Sequence, residues 1–255
     1  MCGRFALTAT LDEVETFLGV AGGADFPPRY NIAPTQPIPV ALAGPSRKPG
    51  SNLPDRQALL VRWGFIPAWA KTPGDLPLLI NARAETAAEK NTFKAAIRHR
   101  RALIPASGFF EWKRRDKAKA QPYFVRPRDG GLFAFGGLME TYLEPGGAEL
   151  DTAAILTTAA NAQIADIHHR MPVVIRRADF SRWLDCRSYR PADVADLLRP
   201  VEPGFFEAIP ISDKVNKVAN AGPEILDPVA LGADTDACEA PAAPGRAVGA
   251  QLDLF

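Results

Sequence analysis

The stretch RRALIPASGFFEWK, which runs from Arg100 to Lys113, indicates the fold class. Its apolar runs on either side of Ser107-Gly108 are short and bounded by glycine or proline, which is typical of β-strands. Six further segments share this pattern: Ile38–Ala43, Ala58–Trp63, Tyr123–Arg126, Leu132–Gly137, Ala153–Thr158 and Val173–Ile175. The 24 prolines argue against long helices or long strands. The order of elements does not alternate strictly as βαβ, so we expect an α+β fold with a mixed, twisted, barrel-like sheet flanked by short helices.

Helical patterns are few. Thr10 and Glu13 have the spacing of a capping box, in which both side chains satisfy backbone N–H groups, and Gly19 is placed to end that helix. Three more helices are predicted over Glu85–Arg100, Ala178–Asp185 and Ala192–Leu198.

Length and composition favour a single globular protein. The chain has 255 residues, of which 47% are hydrophobic, enough for one sizeable core or two small ones. No apolar run approaches the roughly 18 residues of a membrane helix, and no signal peptide is recognisable, so we expect a cytoplasmic protein without a membrane partner.

Charge is spread unevenly along the chain. From Arg83 to Arg128 there are thirteen Lys or Arg against four Asp or Glu, a balance of +9, although the net charge of the whole chain is only +1. This asymmetry indicates an anionic partner, or simply a solvated charged face. The three cysteines, Cys2, Cys186 and Cys238, are scattered and include no CxxC pair, so neither a disulfide framework nor a metal site is expected.

The amino-terminal residues MCGRF carry an unusual nucleophile. Removal of Met1 leaves Cys2 with an α-amine and a thiol, whose reference pKa values are about 7.7–8.0 and about 8.5. Such an aminothiol condenses with an aldehyde to a Schiff base, and the thiol then closes a thiazolidine ring. Both groups are therefore partly nucleophilic near neutral pH, and a nearby cation would lower the pKa of the thiol further. The alternative is an incidental cysteine at the second position.

Two further stretches hold polar groups suited to the same chemistry. In Leu79–Thr86, Asn81 is placed to orient a polar substrate and Arg83 to bind phosphate, unless Asn81 merely caps a helix. In Pro105–Lys113, Glu111 is a single acid inside an aromatic run. Desolvation there would raise its pKa, unless it faces solvent or pairs with a neighbouring base. Trp112 offers a surface for base stacking, or fills the core.

The sequence IHHRMP contains two of the three histidines. His168 and His169 are general acid–base candidates near pH 7, although a lone histidine is more often structural. Arg170 beside them suggests a loop that faces phosphate.

Taken together, these stretches resemble the SOS-response-associated peptidase, or SRAP, family, which includes abasic-site-processing proteins. The resemblance covers Cys2 to Pro228. Its motifs are MCGRFA (Met1–Ala6), RYNIAPTQ (Arg29–Gln36), RWGFIPAWAK (Arg62–Lys71), INARAET (Ile80–Thr86), RRALIPASGFFEWK (Arg100–Lys113), IHHRMPVVI (Ile167–Ile175) and VNKVANAGPEILDP (Val215–Pro228).

The resemblance implies both an activity and a site. The expected activity is recognition of abasic sites in single-stranded DNA and formation of a covalent thiazolidine cross-link, which shields the damage as part of the SOS response. No cofactor is implied. The implied catalytic residues are Cys2, Asn81, Glu111 and His168, where His168 is chosen over His169 because it precedes the arginine by two positions. The implied DNA contacts are Arg4, Trp69, Arg83, Trp112, Thr157 and Arg170.

Two rival functions remain open at this stage. A cysteine-type peptidase that releases Met1 would use the same Cys, Glu and His set, and the implied enzyme also has a lyase activity. A plain single-stranded DNA binder is less consistent with the MCGRF start, because binding alone needs no aminothiol.

The composition changes near Pro228, where alanine, glycine and proline become dominant. We expect a folded domain over residues 2–228, a flexible linker over 229–250 and a separate peptide over 251–255. That peptide, Gln251-Leu252-Asp253-Leu254-Phe255, looks like the short segments with which bacterial replication and repair proteins bind the sliding clamp. The alternative is that these residues pack back on the domain. Clamp binding would hold the protein near the nucleoid and its replication forks.

Overall fold

The computed structural model describes residues 2–23, 25–45, 55–115 and 118–230. Most of the predicted linker and all of the predicted clamp-binding peptide therefore lie outside the described residues. Within these ranges the strands are β1 (Phe5–Leu7), β2 (Arg29–Ile32), β3 (Pro37–Ala43), β4 (Arg56–Trp63), β5 (Asn81–Arg83), β6 (Arg101–Ala106), β7 (Gly108–Arg115), β8 (Ala118–Pro127), β9 (Phe133–Leu143), β10 (Glu149–Ala159), β11 (Arg170–Pro172), β12 (Val174–Ile175) and β13 (Phe206–Pro210).

Helices in the described part of the chain are short. The α-helices are α1 (Leu11–Leu18), α2 (Lys94–His99), α3 (Ala162–Ala165) and α4 (Phe180–Leu184). The 3-10 helices span Pro73–Asp75, Arg177–Asp179, Pro191–Leu198, Asp213–Asn216 and Pro223–Leu226. None of the helices in this part has both the length and the apolar character needed to cross a bilayer.

The core of the fold is a closed five-stranded β-barrel. Strands β3, β4, β10, β9 and β6 follow one another round the ring, and the pairing of β9 with β10 closes it. The β4–β10 pair is parallel and the others are antiparallel. Trp63, Leu103, Phe135 and Ile155 are all completely buried, which fits strands that bury alternate apolar residues inside a barrel. The predicted α+β class with a barrel-like sheet is confirmed.

A second sheet, in the order β13-β8-β7-β1-β2, continues from the barrel. The chain passes from β6 into this sheet at Ser107, and Gly108 is the first residue of β7. A Cβ atom at Gly108 would lie 2.3 Å from the ring of Phe124 and 2.9 Å from the carbonyl oxygen of Val125, so only glycine fits there. The short stretch that indicated the fold class thus carries the chain from the barrel into the second sheet.

The helix predictions are confirmed only in part. Thr10 and Glu13 form the expected capping box of α1, and Gly19 ends it with a positive φ of 65°. The predicted helix over Glu85–Arg100 is wrong for its first nine residues, where the chain forms successive turns, and only α2 is helical. Asn91 and Thr92 are weak helix formers and lie at the end of those turns.

Candidate active site

The position of Cys2 is fixed by a residue three places further on. Phe5 in β1 is completely buried and packs edge-on against Trp63, at 5.2 Å between ring centroids, and against Phe135, at 5.6 Å. Strand β1 also pairs with β7, where Phe5 lies opposite Phe109. The aromatic contacts hold the start of the chain against the barrel, and Cys2 itself is completely buried.

Asn81 contacts Cys2 directly. Its Nδ2 donates a hydrogen bond to the backbone oxygen of Cys2 at 3.0 Å. Asn81 belongs to β5, which pairs in parallel with β10 where Asn81 lies opposite Ile155, so the alternative that Asn81 caps a helix is wrong. The Oδ1 atom of Asn81 is buried and accepts no hydrogen bond from the residues that the structure describes.

Glu111 is buried, so the alternative that it faces solvent is wrong. Only 2% of the residue is exposed, in β7 opposite Tyr123 of β8. Burial raises the pKa of the Glu111 carboxyl, and the positive charge of the chain's amino terminus offsets part of that rise. A carboxyl group in this environment can hold a proton at a higher pH than an exposed one.

The thiol of Cys2 differs from the sequence-based expectation. Burial raises the pKa of the Cys2 thiol well above its usual value, and the charge of Glu111 raises it further. The amino-terminal charge lowers that pKa, but this effect is smaller. The sequence left the thiol partly nucleophilic near neutral pH, but in the structure desolvation outweighs the effect of the nearby cation and favours the protonated thiol.

The two histidines lie in different environments. His168 is half-buried, whereas His169 is exposed, and their rings stack with centroids 4.4 Å apart. Nδ1 of His168 lies 3.0 Å from the backbone nitrogen of Arg170 and 3.1 Å from its backbone oxygen, so Arg170 holds the ring through this nitrogen. Burial lowers the pKa of His168, and the amino-terminal charge lowers it further. The same terminal charge therefore acts on Cys2, Glu111 and His168.

The guanidinium of Arg170 is held inside the protein. It donates to both carboxylate oxygens of Glu85, at 2.6 and 2.9 Å, and to the backbone oxygen of Thr157 at 2.6 Å. Thr157 is completely buried, and its hydroxyl donates to the backbone oxygen of Ala82. The DNA contacts expected of these two residues stay predictions, but in this arrangement Thr157 supports Arg170 rather than facing outward.

Arg4 and Trp112 are connected because both form a hydrogen bond with Asn216. Arg4 donates to the backbone oxygens of Val215 and Asn216 at 3.0 and 3.3 Å, and the indole N–H of Trp112 donates to Oδ1 of Asn216 at 2.8 Å. Trp112 is half-buried, so its side chain is neither a fully exposed stacking surface nor a fully buried core residue.

The remaining predicted contacts are exposed. Arg83 follows Asn81 in β5 with its side chain exposed, and 57% of Trp69 is accessible to solvent. Among the described residues, no group of three His, Cys, Asp or Glu is arranged to hold a metal ion.

Sequence reasoning missed Glu85 and Asn31. Glu85 lies in the INARAET motif and Asn31 in RYNIAPTQ, but neither motif indicates partners 85 and 184 residues away. Only the burial of Asn31, at 3% exposure, distinguishes it from an ordinary polar residue in a strand.

The fold and the clustered Cys, Asn, Glu and His side chains agree with a single protein family. The chain belongs to the SOS response associated peptidase (SRAP) family, whose sequence model matches residues 1–218. Two relatives are the abasic site processing proteins YoqW of Bacillus subtilis (strain 168) and YedK of Escherichia coli (strain K12). YoqW is 36% identical over 230 residues, 89% of this chain and 99% of that protein. YedK is 34% identical over 236 residues, 90% of this chain and 100% of that protein.

A solved structure is also similar. The crystal structure of a protein from Bacteroides thetaiotaomicron matches with a TM-score of 0.80 and 24% identity, over 90% of this chain and the whole of the other. This similarity supports the fold.

Proposed function

We propose that the protein captures abasic sites in single-stranded DNA as a covalent thiazolidine at Cys2. The observation that carries the proposal is the contact of Asn81 with Cys2 next to the buried Glu111 carboxyl, where proton transfer is available beside the terminal residue. The names of YoqW and YedK support abasic DNA as the substrate class. The predicted folded domain over residues 2–228 contains all four groups.

The amine of Cys2 acts first. Once Met1 is removed, this amine belongs to the same residue as the backbone carbonyl to which Asn81 donates a hydrogen bond. The unpartnered Oδ1 of Asn81 is able to accept a hydrogen bond from it, which would orient the nitrogen lone pair toward the aldehyde. Attack forms a carbon–nitrogen bond and a carbinolamine. Its hydroxyl leaves as water when Glu111 supplies a proton, and a Schiff base results.

The thiol of Cys2 acts second. Burial disfavours the thiolate, so the sulfur competes poorly with the amine for the aldehyde. Sulfur then bonds to the Schiff-base carbon while its proton passes to the nitrogen, with Glu111 as the carrier. Aldehyde and aminothiol thus give thiazolidine and one water, with no oxidation or reduction.

His168 opens the sugar. An abasic deoxyribose exists partly as a closed hemiacetal, which has no free aldehyde. The lowered pKa of His168 makes its neutral form predominate near pH 7, so it has to receive a proton before it can give one. His168 takes this proton from the hemiacetal hydroxyl and delivers it to the ring oxygen. The ring then opens to the aldehyde, and neither His168 nor the sugar gains a net charge.

The DNA lies against exposed and half-buried side chains near this centre. Trp69 and Trp112 offer surfaces on which unpaired bases stack, and Arg4 and Arg83 offer charge to the flanking phosphates, whereas Arg170 is buried and contributes charge from behind this surface. Exposure alone makes Trp69 and Arg83 the most accessible of these contacts.

The raised pKa of the Cys2 thiol argues against the rival peptidase mechanism. A cysteine hydrolase needs a thiolate, which a positive neighbour such as a histidinium normally stabilises. Here burial and Glu111 favour the protonated thiol. An amine-first condensation needs no thiolate, and it fits this environment better.

We also propose that the terminal peptide, residues 251–255, tethers the domain to the sliding clamp through the residues that precede it. Leu252, Leu254 and Phe255 are a dense apolar cluster in a polar and Ala/Gly/Pro-rich tail. Such a tether would raise the local concentration of the domain in the cytoplasm near replication forks.

Intact-mass measurement tests the capture directly. The protein incubated with an abasic oligonucleotide should gain the mass of that oligonucleotide less one water, from a parent that lacks Met1. Cys2→Ala should abolish the heat-stable adduct, and Cys2→Ser should leave only a reducible Schiff base. Cys186→Ala is the matched control, because Cys186 lies half-buried after α4 with no predicted role in capture. A normal heat-stable adduct from Cys2→Ala would refute the proposal.

A further inference from the structure

The motif VNKVANAG has no part in the chemistry proposed above, although its first residues lie beside Arg4. Residues 214–220, here called the rim segment, fold back on themselves. Lys217 N–H donates to the Lys214 oxygen at 3.2 Å, and Asn220 Nδ2 donates to the same oxygen at 2.8 Å. Val215 is buried, whereas Lys214 and Lys217 are exposed. The segment therefore turns backbone oxygens inward and two cationic side chains outward.

A single buried amide holds this segment. Nδ2 of Asn31 in β2 donates to the backbone oxygens of Val215 at 3.2 Å, Lys217 at 3.2 Å and Asn220 at 2.8 Å. An amide nitrogen carries two hydrogens, so the three oxygens share them. Asn31 is only 3% exposed, and a buried amide that lost these acceptors would keep an unsatisfied donor.

The other end of the same amide holds a predicted DNA contact. Oδ1 of Asn31 accepts a hydrogen bond from Arg4 at 2.7 Å. Arg4 in turn donates to Val215 and Asn216, and Asn216 accepts from the Trp112 indole. Asn31 thus joins Arg4, Trp112 and the rim segment into one hydrogen-bonded unit.

We propose that Asn31 is a positioning residue and that the rim segment it holds is part of the DNA-binding surface, with Lys214 and Lys217 contacting backbone phosphates. This inference rests on the proposed capture of single-stranded DNA. Exposed lysines next to an arginine and a tryptophan provide the combination of charge and stacking surface that binds a single strand without regard to sequence. Asn31 contributes by setting the geometry, and it does not touch the reacting atoms.

The test separates binding from chemistry. Asn31→Ala should raise the Kd for an intact single strand, which has no abasic site, by about tenfold, since contacts at Arg4 and the rim loosen together. The single-turnover capture rate at saturating abasic DNA should stay within about twofold of the parent, because Asn31 contacts none of Asn81, Glu111 and His168. Asn31→Asp keeps the acceptor for Arg4 but removes the donor, so it should loosen the rim alone and give an intermediate Kd.

A surface variant covers the case in which Asn31→Ala fails to fold. Lys214→Ala/Lys217→Ala should reduce the slope of log affinity against log salt by about 1.4, since each phosphate contact on a single strand contributes about 0.7. The matched control is Arg187→Ala/Arg199→Ala, which removes two exposed charges outside the rim segment, one after α4 and one after the 3-10 helix Pro191–Leu198, and should keep the parental slope. Thr10→Ala is a second control. It removes the cap of α1 and should lower stability, but it should leave the Kd for single-stranded DNA unchanged.

The outcomes are distinguishable. A folded Asn31→Ala protein with parental Kd, or a lysine double variant with parental salt slope, would overturn the rim inference while leaving capture intact. A parent that binds no single-stranded DNA at all would instead overturn the proposed function, and this inference with it.

Discussion

Arg170 donates hydrogen bonds to both carboxylate oxygens of Glu85, at 2.6 and 2.9 Å. The same residue fixes His168, because its backbone N–H donates to the imidazole Nδ1. One arginine thus links a surface carboxylate to a candidate catalytic ring. A phosphate that binds Arg170 has to share the guanidinium with Glu85, unless it uses the buried Nε atom, which has no hydrogen-bond partner in the described structure.

Glu85→Gln should lower the free energy of unfolding by about 1 kcal/mol at pH 7, a figure reduced because about half of the Glu85 side chain is exposed. The hydrogen bonds from Arg170 lower the pKa of Glu85 in the folded state. The stabilisation is therefore fully present above the unfolded-state pKa of about 4.3 and is lost as pH falls through the lower folded-state pKa. Urea denaturation should show a larger difference from the parent at pH 7 than at pH 3. Glu202→Gln, in an exposed pair with Arg176, is the control and should have a smaller effect.

Glu111→Gln should slow capture by about 100-fold, because it keeps the shape of the side chain but removes proton transfer. It should also make the protein more stable at pH 7. Burial raises the folded-state pKa of Glu111, so the carboxyl contributes stability below its unfolded-state pKa and loses that contribution as pH rises through the folded-state value. Single-turnover cross-linking and urea denaturation of the same preparation measure both effects. Parental capture by Glu111→Gln would show that the acid–base role is wrong.

His168→Ala should slow capture of the hemiacetal while leaving single-strand affinity close to that of the parent. The matched control is His169→Ala, since His169 stacks on the same ring but is exposed and should change the rate little. Because the pKa of His168 is lowered, its neutral form persists to a lower pH than the neutral form of a free imidazole. The part of the capture rate that depends on neutral His168 should therefore also be retained to a lower pH. Capture rates measured from pH 5 to pH 8 compare the three proteins. Equal rates in parent and His168→Ala would remove this role.

Trp69→Ala should weaken single-strand binding by about 1–2 kcal/mol, the usual contribution of one aromatic stacking platform. Its melting temperature should stay near that of the parent, because 57% of Trp69 is exposed. Capture should also be faster on a single-stranded abasic site than inside a full duplex, whose bases are not free to stack on protein. Fluorescence-anisotropy titrations and gel-based cross-linking report the two quantities. Equal capture of both substrates would contradict this mode of binding.

A peptide that spans Ala250–Phe255 should bind a bacterial sliding clamp with micromolar-range affinity, because a short flexible ligand has to order itself on binding. Leu254→Ala/Phe255→Ala in the full chain should abolish clamp binding and leave DNA cross-linking unchanged. Isothermal titration against the clamp measures the first effect. Absence of heat at high micromolar concentrations with the intact tail would exclude the tether.

The sequence predicted the parts of the fold that depend on local pattern. Each apolar run bounded by glycine or proline became a strand, and the Thr10–Glu13 spacing formed its capping box. The strand Asn81–Arg83 was not predicted, because three residues are too few to show an alternating pattern and its partner in β10 lies more than 70 residues away. Asn81 was therefore ambiguous between a substrate contact and a helix cap.

The candidate site shows the same division between local and distant information. The aromatic neighbours of Glu111 in the sequence were sufficient to suggest that burial would raise its pKa, and burial is the largest cause of that shift. The burial of the Cys2 thiol and of Thr157 depends on strands that are distant along the chain, and no local pattern predicted either. The hydrogen bonds of Asn31 and Glu85 also join residues that are distant along the chain, so no local pattern predicted them.

Strand β10 has a consequence for biosynthesis. It closes the barrel by pairing with β9, and the same strand pairs with the segment that carries Asn81. Cys2, where we propose the aminothiol, precedes all of these strands in the chain and therefore leaves the ribosome before them. For most of translation Cys2 would therefore emerge without its amide, its acid or its imidazole around it. A nascent chain should react only slowly with the free aldehydes of metabolism, and the nucleophile would acquire its full reactivity when the last barrel strand is in place.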